Sequence, residues 1–106
     1  RGESSAVIRQ RVTAARRVQE QRFLDSATRS NAGMSRRELE NFATPSPAAL
    51  KLLEQAMQRM QLSARAYDRI LKVARTIADL AGVETIDTPH LAEAVQYRGL
   101  DRPLPV

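Results

Sequence analysis

Residues 61 to 82, "QLSARAYDRILKVARTIADLAG", constrain the fold more than any other stretch. Wound as a helix, Tyr67, Ile70, Leu71, Ala74, Ile77, Ala78 and Ala81 fall on one arc, and no period-two alternation competes. Ser63 is placed to cap this helix, and Gly82 is well placed as the residue just past its end. The first turn holds an oddity. With Ser63 as the cap, Arg65 is the second helical residue, where the partial positive charge of a helix start favours an acid.

Four more helical segments read out around this one. The first runs from about Ser5 to Arg22, with Ile8, Val12, Ala15 and Phe23 on one side and Val7 and Val18 flanking them. "LDSATRSNAGM" then reads as a polar loop. Ser35 with Glu38 forms a capping box for a short second helix. Ser46 caps a third, with Pro47 at its first position and Leu50, Leu53, Met57 and Met60 as its stripe. Thr88 is expected to cap the fifth, whose inner face is Leu91, Ala94 and Val95. The reading is therefore all-α, a single bundle of about five helices over residues 1–106, with residues 1–4 and 100–106 frayed.

Composition narrows the function. The chain has 106 residues, 42% apolar but only 4% aromatic, which suits close-packed helices of Ala and Leu. There is no Cys, so disulfides and thiolate zinc sites are excluded, and the single His90 is expected to be structural or exposed. No catalytic residues and no metal site are expected. No stretch is long and apolar enough to span a membrane, and no signal-peptide pattern opens the chain, so a cytoplasmic setting is expected. The sequence opens on Arg1 and not Met, and is expected to be a piece of a longer or processed chain. A net charge of +5 favours anionic partners such as nucleotide or nucleic acid.

The positive signals are arginines. Arg11 and Arg22, with Gln19, fall inside the apolar arc of the first helix. Their stems either snorkel along the core edge or meet a neighbouring domain or an anion. The polar arc of the fourth helix holds Arg65, Asp68, Arg69, Lys72, Arg75, Thr76 and Asp79. Asp68–Lys72 and Arg75–Asp79 are spaced as weak surface pairs, and the arc reads most simply as solvated. Arg65 either pairs with Asp68 or, among the free N–H groups of a helix start, contacts phosphate.

"LSARAYDRILKVARTIADLAG" followed by "HLAEAVQYR" closely resembles the C-terminal domain of the magnesium-chelatase-like AAA+ ATPases of the ComM type. Arg11–Val12, Ala15–Arg16, Gln19 and Arg22 agree with that pattern, and the resemblance spans about residues 3 to 102. The resemblance implies a helical lid beside the nucleotide site of a larger α/β domain. It maps the "sensor 2" arginine, which reaches the ATP phosphates in its own or a neighbouring subunit, onto Arg65. Arg11, Arg22 and Arg69 become candidate interdomain or anion contacts. The parent is implied to be a ring-forming, hexameric ATPase using ATP and Mg²⁺, related to the MCM helicases and acting on DNA in branch migration during natural transformation. The magnesium-chelatase label stays open beside it. The fragment itself lacks Walker A and B motifs, and is expected not to be an enzyme, to hold no nucleotide stably and to be monomeric. Its partner would be the ATPase domain of the same or an adjacent subunit. The alternative reading is a free-standing basic DNA-binding or protein-interaction module.

Overall fold

A computed structural model describes residues 4–97. Its elements are α1 (Ser5–Arg22), a 3₁₀ turn (Asn31–Gly33), α2 (Arg36–Phe42), α3 (Pro47–Met60), α4 (Ala64–Leu80) and α5 (Thr88–Val95). The fold is all-α, and the described residues contain no strand. Pro45 and Ile86 form one isolated parallel bridge, closed by Ser46 N–H donating to Ile86 O at 2.8 Å, which lays the starts of α3 and α5 side by side. The frayed ends expected at residues 1–4 and 100–106 lie outside the described residues, except Ser4. That residue is ordered as a cap, its Oγ accepting from Val7 N–H at 3.2 Å.

Local chemistry sets the helix ends. Ser35 and Glu38 form the reciprocal capping box, and Ser46 accepts from Ala49 N–H ahead of Pro47. Ser63 caps α4 through Ala66 N–H. At the other end of α4, Gly82 takes a left-handed backbone (φ 76°). Val83 N–H then returns to Ala78 O and Gly82 N–H to Asp79 O, the Schellman arrangement that a glycine permits. The start of α5 lies one residue earlier than the sequence suggests. Asp87, not Thr88, is the cap, because its carboxylate accepts from Thr88 N–H while His90 Nδ1 accepts from Asp87 N–H at 2.9 Å. His90 thus closes a capping box, a structural task.

α4 is the centre of the molecule, with α1, the 3₁₀ turn, α2 and α5 packed on it and α3 packed on α5. Leu53, Ile70, Ile86 and Leu91 are the largest fully buried apolar side chains. Phe23, just past α1, meets Phe42 of α2 edge to face at 5.9 Å. The stripe of α3 is only partly used: Leu53 is buried, whereas Met60 is 40% exposed. α1 contributes a single buried residue within its length, Ala15.

Candidate functional site

α4 carries charge at both ends, and the two ends behave oppositely. At its C-terminal half, Arg75 and Asp79 are buried, where a solvated surface pair was expected. The reason is coverage: α1 and the 3₁₀ turn close over this part of the polar arc. Asp79 is the hub. Both terminal nitrogens of the Arg22 guanidinium, Nη1 and Nη2, donate to its two oxygens at 2.8 Å. Arg75 Nε lies 3.2 Å from Asp79 Oδ1, an ion-pair contact without hydrogen-bond alignment. Arg75 also donates to the carbonyls of Phe42, Glu84 and Val83, tying the end of α2 and the α4–α5 connection to α4. Burial pulls the Arg75 guanidinium below its usual range, opposed by Asp79.

Asn31, in the segment the sequence presented as a polar loop, completes this network. It is 1% exposed. Its Oδ1 accepts from Arg22, its Nδ2 donates to Thr76 and Asp79, and its backbone N–H donates to Gln19 Oε1. Every polar group of that side chain has a partner, which is the condition for burying it. Arg22 therefore sits inside the fold and faces Asp79, not an interdomain or anion surface. The one sequence signal for this network was the presence of Arg22 and Gln19 within an apolar arc. Nothing in the sequence marked Asn31.

At the N-terminal end, Arg65 is exposed at the second position of α4, and it has no partner among the described residues. Of the two alternatives for Arg65, the pairing with Asp68 does not form among the described residues. Asp68 reaches instead to Arg36 of α2 at 3.1 Å, and Lys72 is not its partner either. Arg69, one turn on from Arg65 and on the same side of the helix, is half-buried; Arg11 is exposed; neither is without a partner. Beside this end of α4 lies an open groove of about 290 Å³, floored by Leu39, Pro45, Leu50 and Tyr67 with Arg36 and Asp68 at its edge. Arg65 and Arg69 thus share one surface. Arg22 is far from them, near the opposite end of α4, so the four candidate arginines do not form one site.

The α4 start fits a phosphate: an arginine projects there beside N–H groups that the helix leaves unbonded. Among the described residues no group of three His, Cys, Asp or Glu could hold a metal ion. No described helix is long and apolar enough to cross a membrane.

The model of the family described as "Magnesium chelatase, subunit ChlI C-terminal" matches residues 2–98. Competence protein ComM of Haemophilus influenzae is 44% identical over 102 residues, covering 96% of this chain and 19% of that protein. YifB of Escherichia coli, an uncharacterized protein, is 43% identical over 101 residues, covering 95% of this chain and 19% of its own. An uncharacterized protein of Mycobacterium tuberculosis is 40% identical over 97 residues, again 19% of its length. The chain thus spans about a fifth of the length of the curated relatives it matches. No solved structure matches it. With every described residue inside the matched span, the chain belongs to the magnesium chelatase ChlI C-terminal family, and corresponds to the C-terminal portion of ComM- and YifB-type proteins.

Proposed function

We propose that this chain is the nucleotide-responsive lid of a ring-forming AAA+ ATPase, with Arg65 as its phosphate contact, and that the full-length protein acts on DNA. Family membership supports the ATPase context. The observation that carries the site is Arg65 itself: a cation at the start of a long helix, exposed and unpartnered among the described residues, where its charge adds to the helix dipole. A phosphate placed there reverses the sign of that interaction. Charge neutralisation by a positioned arginine is a recurring part of phosphoryl transfer.

The ATP-binding loop and the ligands for Mg²⁺ belong to the part of the protein outside this chain. What this chain supplies is one cation on a rigid mount. α4 is held at its far end by the Arg22–Asp79–Arg75 network, so a contact at Arg65 moves the bundle as a unit. Nucleotide state then biases the lid angle through a contact made in one state and not the other.

In the full-length protein, Arg65→Ala is expected to lower ATP turnover by about tenfold or more. Steady-state hydrolysis measures it, and turnover equal to the unmodified protein would remove the sensor role from Arg65.

A further inference from the structure

The first half of α4 carries one carboxylate, Asp68, with a cation on either side of it along the helix. Arg65 lies one turn before it and Lys72 one turn after, so both are within side-chain reach. Neither holds it. Asp68 Oδ2 instead accepts from Arg36 Nη2 of α2 at 3.1 Å. At about 3.6 residues per turn, Tyr67 and Leu71 fall to one side of Asp68, and Arg65 and Lys72 to the other. Tyr67, Leu71 and Arg36 all line the groove between α4 and α2. Arg36 therefore draws the carboxylate toward the groove and away from Arg65.

The groove itself does not hold that pose. Asp68 Oδ1 is enclosed and accepts no hydrogen bond from any described residue, which is a cost and not a restraint. The restraint is the Arg36 contact. It is a weak one, because Arg36 is 64% exposed and Asp68 28%. Helical side chains lean toward the N-terminus of their helix, which for Asp68 is the direction of Arg65. Released from Arg36, the carboxylate has two oxygens, one for Arg65 and one for Lys72. It would then occupy the cation that a phosphate needs.

We propose that Arg36 is a positioning residue for the nucleotide response: it holds Asp68 against α2, so that Arg65 stays open to phosphate. This rests on the reading of Arg65 as the phosphate contact. Arg36 touches no phosphate; it acts through Asp68. The carboxylate belongs either to α2, which leaves Arg65 available, or to α4, which neutralises it. Arg36 is the first residue of α2, so a displacement of α2 from α4 breaks its contact and shifts the balance to the second state.

ATP turnover in variants of the full-length protein tests this. Arg36→Ala is expected to lower turnover by about twofold, the effect of one exposed pair a turn apart on a helix. Asp68→Asn breaks the same contact to α2 but leaves no charge to reach Arg65. It is expected to keep turnover at or above that of the unmodified protein, and Arg36→Ala with Asp68→Asn is expected to match it. A merely structural tie between α2 and α4 predicts otherwise: all three variants would lose turnover alike, and that result overturns the proposal. Unchanged turnover in Arg36→Ala also overturns it, assigning the released Asp68 to Lys72 alone. In an Arg65→Ala background, Arg36→Ala is expected to have no further effect, and an equal fall there would show that Arg36 acts independently of Arg65. Normal turnover in Arg65→Ala removes the sensor reading, and this proposal with it. A loss in Arg65→Ala with none in Arg36→Ala removes only the part assigned to Arg36.

Discussion

Asp79 shows how much one side chain can hold. Its two oxygens receive both terminal nitrogens of Arg22, Asn31 and the ion-pair contact of Arg75, and its side chain is 1% exposed. Removing one partner of a buried ion pair strands the other, at a cost of about 3–5 kcal/mol. Asp79→Ala strands two arginines at once. It is expected to destabilise the chain by at least the lower end of that range, read as a fall in denaturation midpoint with unchanged slope. A loss under about 1 kcal/mol would mean the network is not closed in solution. Glu38 sets a second residue-scale expectation. The Ser35 backbone N–H, then the Thr28 and Ser26 hydroxyls, hold its carboxyl at about 2, well below the ordinary 4.5. The charged form is thus favoured in the folded state. Its stabilising contribution is complete above pH 4.5 and disappears as pH falls toward about 2. Glu38→Gln should therefore flatten the dependence of Tm on pH across that window, and parallel Tm curves for the two proteins would contradict the assignment.

The helices differ in how they end. α4 closes on Gly82, which adopts φ 76° without a Cβ to crowd it. α3 closes on Gln61, which adopts φ 53° with one, while Leu62 N–H returns to Met57 O at 3.1 Å. A left-handed residue other than glycine carries roughly 1–2 kcal/mol of strain. Gln61→Gly relieves it, less the greater freedom glycine has when unfolded, so a net gain of about 0.5–1 kcal/mol is expected. Thermal denaturation measures this, and a fall in Tm would show that Gln61 makes compensating contacts. α1 illustrates a different limit. Its periodicity announced an apolar face, yet the only residue buried within it is Ala15. The amphipathic pattern states which side seeks cover; it does not state over what length cover exists.

Across the whole molecule, stability and the proposed activity are carried by opposite ends of α4. The buried network and the Schellman turn sit at its C-terminal end, and Arg65 stands exposed at its start. Arg65→Ala should therefore leave the melting temperature of the chain within a small margin, since surface substitutions away from special features change stability by about ±0.5 kcal/mol. The same change is the one expected to depress ATP turnover in the full-length protein. A variant that lost both together would place Arg65 in the fold, not in a phosphate contact.

The sequence by itself determined the elements. Caps, prolines and glycines act within a few residues, so α1 to α4 and the positions of Ser35, Ser46, Ser63 and Gly82 were legible, as was Arg65 standing against its own helix dipole. It misplaced the cap of α5 by one residue, because Asp87 and Thr88 are both good caps and His90 decides between them. Only the tertiary structure decided which polar residues face inward. Asp68 and Asp79 look alike on a helical wheel, but α1 and the 3₁₀ turn cover the second. Burial comes from what packs against an arc, and helical periodicity specifies only the direction in which the arc points.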